Sequence, residues 1–334
     1  MDKDQTAINY FQENQNALLE QYFNILRIPS VSTDPAHKSD MVRTAEFLAD
    51  YFKKLGVDRV EIFPTKVHPI VFAEKKSPLP NAKTLLVYGH YDVQPPDPLH
   101  EWRTAPFEPT LVEDYVYARG ASDMKGQVMA SIFALESVLK TNELPINIKF
   151  IIEGEEEIGS PSLEDFLKNN TELLQCDMIL NPDAGMISAS QPTIVYGLRG
   201  MVYFELRIDG PKMDLHSGLF GGNIANPANV IADIISKLHN PDGTVAIPGF
   251  YDKVRHLSPE ERERIATAGL QEDAYVQLTG VPRLYGEEGF TMLERQGSRP
   301  TLDVNGLYSG YIEEGAKTII PAFAKAKISC RLVP

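Results

Sequence analysis

The sequence predicts an α/β domain followed by a smaller α+β domain. Over the first part of the chain, short apolar runs alternate with amphipathic helical stretches, which favours a mostly parallel sheet with helices on both faces. Beyond Arg199 the strand-like stretches instead alternate apolar and polar residues, as half-buried strands do. A length of 334 residues allows two hydrophobic cores. We therefore predict a first domain over residues 1–194 and a second over 195–334.

The first domain is predicted to begin with helices and to continue with strand, helix and strand units. One helical pattern stops at Pro29, and the next ends at Gly56, which can cap a helix in the left-handed conformation. Parallel strands joined by helices bind ligands at their carboxyl ends, so we expect functional residues there. The predicted elements are helices at 11–26 and 41–56, strands at 60–63, 70–73 and 84–89, a helix at 124–140, a strand at 146–153, a helix at 162–168 and a strand at 177–180.

The second domain is predicted from three patterns. Residues 201–209 and 324–333 alternate as strands, and residues 226–239 form an amphipathic helix that begins at Asn226. Residues 241–305 are rich in proline, glycine and charge, which favours a solvated insertion to which no chemistry is assigned.

The bulk composition narrows the possible partners. The 46 acidic and 32 basic side chains give a formal charge of -14, which disfavours nucleic acid and anionic membranes because both would be repelled. The two cysteines, Cys176 and Cys330, have no spacing typical of a disulfide framework or a thiolate zinc site. The sequence also has no apolar signal segment and no apolar run of the roughly 20 residues that span a bilayer. We expect a cytoplasmic protein.

Acidic and histidine residues follow the predicted buried strands at four places. His90 and Asp92 lie in GHYDVQP, Asp123 in GASDMKG, several carboxylates in EGEEEIGS, and Asp183 in NPDAG. Taken singly, each motif also has an ordinary interpretation as a buried pair, a helix cap or a turn aspartate. Three successive carboxylates at a strand end, however, repel one another unless cations intervene. Together the four places offer carboxylate and imidazole ligands, and this combination predicts a divalent metal site.

These motifs resemble those of the two-metal hydrolases that include carnosinase, cytosolic non-specific dipeptidase, acetylornithine deacetylase and succinyl-diaminopimelate desuccinylase. The chain also has the W-x-x-x-PF segment from Trp102 to Phe107, DLHSGLFGG, AKTIIP and ISCRLVP, in the order of that family. The resemblance covers nearly the whole chain and is strongest to the carnosinase and non-specific dipeptidase branch. It implies a catalytic α/β domain and a ferredoxin-like lid domain that forms a homodimer.

The resemblance implies ligands for two divalent metal ions, zinc or manganese. His90 and Asp183 would bind one ion, Glu157 would bind the second, and Asp123 would bridge the two. The peptide bond after Asp123 would be cis. The family takes a last histidine ligand from a C-terminal segment, and none of the seven histidines lies near the C-terminus of this chain. We therefore expect a chain that lacks the C-terminal return segment of the catalytic domain and has an incomplete second metal site.

The resemblance also implies catalytic residues and substrate contacts. Glu156 would act as the general base, and Asp92 would brace the metal-binding histidine. His216 would reach across the dimer to polarise the substrate carbonyl, while Thr318 and Arg331 would hold the substrate carboxylate.

The implied reaction is hydrolysis of the amide bond of dipeptides or similar small peptides by a metal-activated water. An N-acyl amino acid deacylase that uses the same site is one alternative, because both kinds of substrate present an amide beside a carboxylate. The other alternative is a catalytically silent fragment, because the last histidine ligand of the family is not in this sequence.

Overall fold

A computed structural model describes residues 3–186, 192–195, 197–269 and 271–334. The chain separates into two compact units, Met1–Gly185 and Met186–Pro334. The boundary predicted after residue 194 stays a prediction, because residues 187–191 and 196 lie outside the described residues. Within the described ranges, no helix combines the length and the apolar character needed to cross a membrane.

The first unit contains five α-helices and seven strands among its described residues. They are α1 (Lys3–Glu13), α2 (Gln15–Leu26), α3 (Lys38–Leu55), β1 (Arg59–Phe63), β2 (Ile70–Lys75), β3 (Thr84–His90), β4 (Thr110–Val112), β5 (Tyr115–Tyr117), α4 (Lys125–Thr141), β6 (Asn147–Glu153), α5 (Leu163–Asn169) and β7 (Met178–Leu180). The single helix predicted over 11–26 is two helices. The pattern missed α1 because that helix has no buried residue and so no clear apolar stripe.

The main sheet of the first unit has the strand order β1-β2-β6-β3-β7. Strand β3 pairs in parallel with β6 and with β7, whereas β2 pairs antiparallel with both β1 and β6. The predicted α/β class is confirmed, and the sheet is more mixed than predicted. A short connection joins β1 to β2, and such a connection permits only antiparallel pairing of neighbouring strands.

Helices cover both faces of this sheet, as predicted. Successive side chains of β2 point to opposite faces, so that Val71 joins the core formed with α2, α3 and α4, while Phe72 joins a core on the other face. Phe166 of α5 closes that second core. On the larger face, the rings of Phe52 in α3 and Phe150 in β6 lie 5.0 Å apart between centroids.

The second unit is built on a smaller antiparallel sheet. Its elements are β8 (Gly200–Asp209), β9 (Leu215–His216), α6 (Ser217–Phe220), α7 (Pro227–Ser236), α8 (Pro259–Thr267), α9 (Glu272–Thr279), α10 (Met292–Ser298), β10 (Thr301–Ser309), β11 (Ile319–Ile320) and β12 (Phe323–Leu332). The order β10-β12-β8 forms the sheet, and β9 pairs with β11 separately. The predicted helix begins after Asn226, whose side chain accepts a hydrogen bond from the backbone N–H of Ala228 at 2.9 Å.

Residues 241–305, interpreted from sequence as a solvated insertion, have a structure of their own. They contain α8, α9 and α10, and their last residues begin β10. The guanidinium of Arg299 is buried between the rings of Tyr251 and Phe290, 5.1 and 4.3 Å from their centroids, and donates to both carboxylate oxygens of Glu287. The strand was missed because a bulge between Val304 and Gly306 interrupts its alternation.

We expect Phe150→Ala to lower the free energy of unfolding of the first unit by about 3–5 kcal/mol, because the deletion leaves a cavity beside Phe52. Ile62→Ala, on the same sheet but at a side chain that is 39% exposed, should change that free energy by less than about 1 kcal/mol. Urea unfolding followed by the fluorescence of Trp102, the single tryptophan, measures both. Equal losses in the two variants would contradict the placement of the core.

Candidate metal centre

Three neighbouring strands end at one edge of the main sheet, and chemically active side chains lie at or just after each of these ends. His90 is the last residue of β3, the turn Glu156–Ile158 follows β6, and Asp183 follows β7. Because β3 is parallel to both β6 and β7, their carboxyl ends meet at this edge. Asp123, just before α4, completes the group.

The structure brings His90, Asp123 and Asp183 into contact. The Nε2 atom of His90 lies 3.2 Å from Oδ1 of Asp123 and 3.6 Å from Oδ2 of Asp183. Within the described part of the chain, these three residues form the compact group that could hold a metal ion, with ligand atoms within 4.8 Å of one another. One imidazole and two carboxylate oxygens suit zinc or manganese, and a divalent cation would balance the negative charge.

The imidazole of His90 has no solvent exposure, and the surrounding carboxylates control its protonation. Burial lowers the pKa of His90, but the hydrogen bond and charge of Asp92 and the charge of Asp183 outweigh burial and raise it to about 9. The site therefore attracts positive charge.

Asp92 connects the histidine to the turn after β6. Its Oδ1 lies 3.3 Å from Nδ1 of His90, and its backbone carbonyl lies 3.0 Å from the same nitrogen. Its two carboxylate oxygens also accept hydrogen bonds from the backbone N–H groups of Glu156 and Glu157, at 3.2 and 3.0 Å. The buried Asp92 carboxylate thus fixes the position of the turn relative to the imidazole.

Glu156 and Glu157 are half-buried beside the three-residue group. Burial raises the pKa of Glu156; the charge of His90 opposes that shift, and Asp183 adds to it. Burial likewise raises the pKa of Glu157, against a hydrogen bond from Gln94. Glu157 lies outside the compact group of His90, Asp123 and Asp183. Its Oε2 atom instead accepts a hydrogen bond from the Gln94 amide at 2.5 Å.

The loop that carries Asp123 is fixed by its neighbours. The peptide bond between Asp123 and Met124 is cis, which confirms what the resemblance implied. The fully buried Lys125 donates hydrogen bonds from Nζ to the carbonyl oxygens of Ile25 and Ile28, at 3.1 and 2.7 Å. Burial lowers the pKa of Lys125 to about 7. Sequence reasoning missed this contact because a lysine in the first turn of a helix is ordinarily solvated.

The acidic motif EGEEEIGS differs from its sequence interpretation. Glu155 does not share a repelling cluster with Glu156 and Glu157, because its buried carboxylate is turned away to other hydrogen-bond donors. Glu153, also buried, accepts hydrogen bonds from Tyr88 and from Ser160. Two of these contacts join segments that are distant in the chain, Tyr88 with Glu153 and Thr65 with Glu155, and sequence reasoning missed them.

Two of the three predicted substrate contacts lie together in the second unit. His216 pairs with Ile319 across the β9–β11 ladder, beside Thr318, whose carbonyl accepts a hydrogen bond from Ser217 at 3.0 Å. Arg331 is the penultimate residue of β12. A strand rises about 3.3 Å per residue, so Arg331 lies roughly 25 Å along β12 from its first residue, Phe323, whereas His216 and Thr318 precede that strand in the chain.

Comparison with known proteins identifies relatives of this chain. Residues 86–310 match the family described as peptidase family M20/M25/M40. The chain is 33% identical to the Cys-Gly metallodipeptidase of Schizosaccharomyces pombe, over 92% of this chain and 67% of that protein. It is 34% identical to the human Beta-Ala-His dipeptidase, over 91% and 62% of the two chains. A crystal structure of an M20 family metallo-carboxypeptidase from Sulfolobus solfataricus superposes with a TM-score of 0.81 and 42% identity, over 95% and 71%.

We expect the affinity of the metal-free protein for manganese to rise with pH until about pH 9, because a cation must displace the proton on His90. The folded-state pKa lies above the unfolded value of about 6.5. Protonation of His90 therefore contributes fully to the stability of the metal-free fold below about pH 6.5, and this contribution is lost as pH rises through about 9.

Isothermal titration with Mn²⁺ between about pH 6.5 and 8.5 should show an affinity that rises up to tenfold per pH unit, one proton being released per ion. His37→Gln removes another histidine that contacts a carboxylate, at 2.8 Å from Asp40, and should leave the slope unchanged. An affinity that does not vary with pH would contradict the assignment of His90 as a ligand.

Proposed function

Because the chain belongs to peptidase family M20/M25/M40, we propose that it hydrolyses the amide bond of dipeptides or similar small peptides with divalent metal ions. The observation that carries this proposal is the convergence of His90, Asp123 and Asp183 at the ends of parallel strands. The names of two relatives, a Cys-Gly metallodipeptidase and a Beta-Ala-His dipeptidase, support dipeptides as the substrate class.

We assign the metal ions to the residues at this edge of the sheet. His90 and Asp183 would hold one ion, zinc or manganese, Asp123 would bridge to a second, and Glu157 would bind the second. When bound, such ions polarise the scissile carbonyl and lower the pKa of a shared water. In binding the second ion, Glu157 would either lose its hydrogen bond from Gln94 or keep that hydrogen bond alongside the metal contact.

Glu156 is the proposed general base. Its backbone N–H is fixed by Asp92, and its carboxylate lies near enough to His90 and Asp183 for their charges to affect its pKa. Because burial raises that pKa, the carboxyl group is suited to take a proton from the attacking water and to deliver it to the leaving amine.

His216 is the proposed donor to the substrate carbonyl. Its Nδ1 accepts a hydrogen bond from the backbone N–H of Gly218 at 3.0 Å, which leaves the proton of the neutral ring on Nε2, available to a substrate. Thr318 and Arg331 are the proposed partners of the substrate carboxylate. His216 and Thr318 precede β12 in the chain and Arg331 lies near its far end, so the length of the strand disfavours contact of one small substrate with all three within one chain. This separation supports a homodimer in which two copies share each site.

We also propose that the protein acts in the cytoplasm on small peptides. Its formal charge of -14 disfavours nucleic acid and anionic membranes as partners.

We expect Glu156→Gln to keep the manganese content of the protein and to lower kcat by at least about a hundredfold, because the proton acceptor is lost while the metal-binding residues remain. Glu164→Gln, an exposed glutamate on α5, should keep wild-type turnover. The assay combines metal analysis with hydrolysis of Cys-Gly, β-Ala-His, tripeptides and N-acetyl amino acids. Near wild-type turnover in Glu156→Gln would mean that another group is the base, and preferred cleavage of the acetylated amino acids would favour a deacylase.

A further inference from the structure

We propose that Glu155 is a positioning residue that fixes the turn carrying Glu156 and Glu157, an inference that rests on the function proposed above for those two residues. Glu155 directly precedes them in EGEEEIGS, and its side chain takes no part in the candidate metal centre. Its carboxylate instead attaches the turn to two other segments of the first unit.

Glu155 is only 1% exposed, and both of its carboxylate oxygens have hydrogen-bond donors within the protein. Oε1 accepts a hydrogen bond from the backbone N–H of His68 at 2.9 Å. It also lies 2.7 Å from the hydroxyl of Thr65, whose single proton is shared with the carbonyl oxygen of His68 at 2.6 Å. Oε2 accepts one from the backbone N–H of Ser162 at 2.9 Å. A buried carboxylate with these donors joins the β1–β2 connection to the segment before α5.

The backbone of Glu155 closes the turn itself. Its carbonyl oxygen accepts hydrogen bonds from the N–H groups of Ile158 at 3.1 Å and Ser160 at 2.7 Å. On the other side of the turn, Asp92 accepts the N–H groups of Glu156 and Glu157. The two half-buried glutamates are therefore held between two buried carboxylates.

The residue before Glu155 shows how little freedom this segment has. A Cβ atom on Gly154 would lie 2.5 Å from the ring and the hydroxyl of Tyr91. Tyr91 cannot move aside easily, because it is fully buried and donates to the carbonyl of Pro69 at 2.7 Å. The β1–β2 connection thus contacts the turn segment through Tyr91 as well as through Glu155.

The donors around Glu155 require an acceptor at both oxygens. In Glu155→Gln, the new amide N–H group would face the backbone N–H of either His68 or Ser162, and neither backbone group can become an acceptor. Glu153 is a matched control, since it is also only 1% exposed. Its partners are the hydroxyls of Tyr88 and Ser160, both on Oε1, and Glu153→Gln can keep an oxygen at that position.

The test compares Glu155→Gln with Glu153→Gln in the 334-residue chain. Hydrogen exchange followed by mass spectrometry measures the opening of residues 156–160. We expect exchange there to become about tenfold faster or more in Glu155→Gln, and to stay within about twofold of wild type in Glu153→Gln, since the loss of buried hydrogen bonds opens structure locally. With manganese and a dipeptide, kcat should fall about tenfold in Glu155→Gln, with KM within about twofold, because the base is displaced while substrate contacts remain.

Equal exchange in the two variants would overturn the inference. If the wild-type chain hydrolyses no peptide, the proposed function fails, but the exchange comparison still tests the role of Glu155. If Glu155→Gln does not fold, Thr65→Val removes one donor from a partly exposed position, and exchange at residues 156–160 should still become faster. Unchanged exchange in Thr65→Val would then count against Glu155 as the anchor.

Discussion

The buried imidazole of His90, facing carboxylates on both of its ring nitrogens, is the constraint around which the first unit is organised. Asp92 lies on the Nδ1 side, and Asp123 and Asp183 lie on the Nε2 side. Burial alone would favour the neutral ring, yet Asp92 and Asp183 raise its pKa to about 9. A proton meets this electrostatic requirement in the metal-free protein, and we propose that divalent cations meet it in the working enzyme.

The positions of the site residues could be predicted because strand ends are encoded locally. Apolar runs identified β3, β6 and β7, and the residues at or just after the ends of those strands are His90, the EGEEEIGS carboxylates and Asp183. Their convergence then follows from parallel pairing. The antiparallel insertion of β2 beside β6 could not be predicted in the same way, since the choice of a partner strand depends on long-range packing that leaves no periodicity in either segment.

Other features escaped sequence reasoning because their partners are distant or are backbone groups. Lys125 bonds to the carbonyls of Ile25 and Ile28, and Glu155 bonds to N–H groups of two separate segments. Residues 241–305 escaped for a related reason. Their polar residues suggested solvent, whereas Arg299 is held by aromatic faces and by Glu287 in a buried arrangement that composition does not reveal.

The carboxylates of the acidic motif divide into two kinds, and the division explains why the site requires charge from outside the chain. Glu153 and Glu155 are buried against neutral donors, namely hydroxyl and backbone N–H groups, which supply hydrogen bonds but no positive charge. Glu156 and Glu157 are half-buried, and burial raises the pKa of each. The buried lysines Lys125 and Lys149 direct their ammonium groups to backbone carbonyls. Neutral donors therefore fix the geometry without neutralising the acidic centre, which suits that centre to a divalent cation.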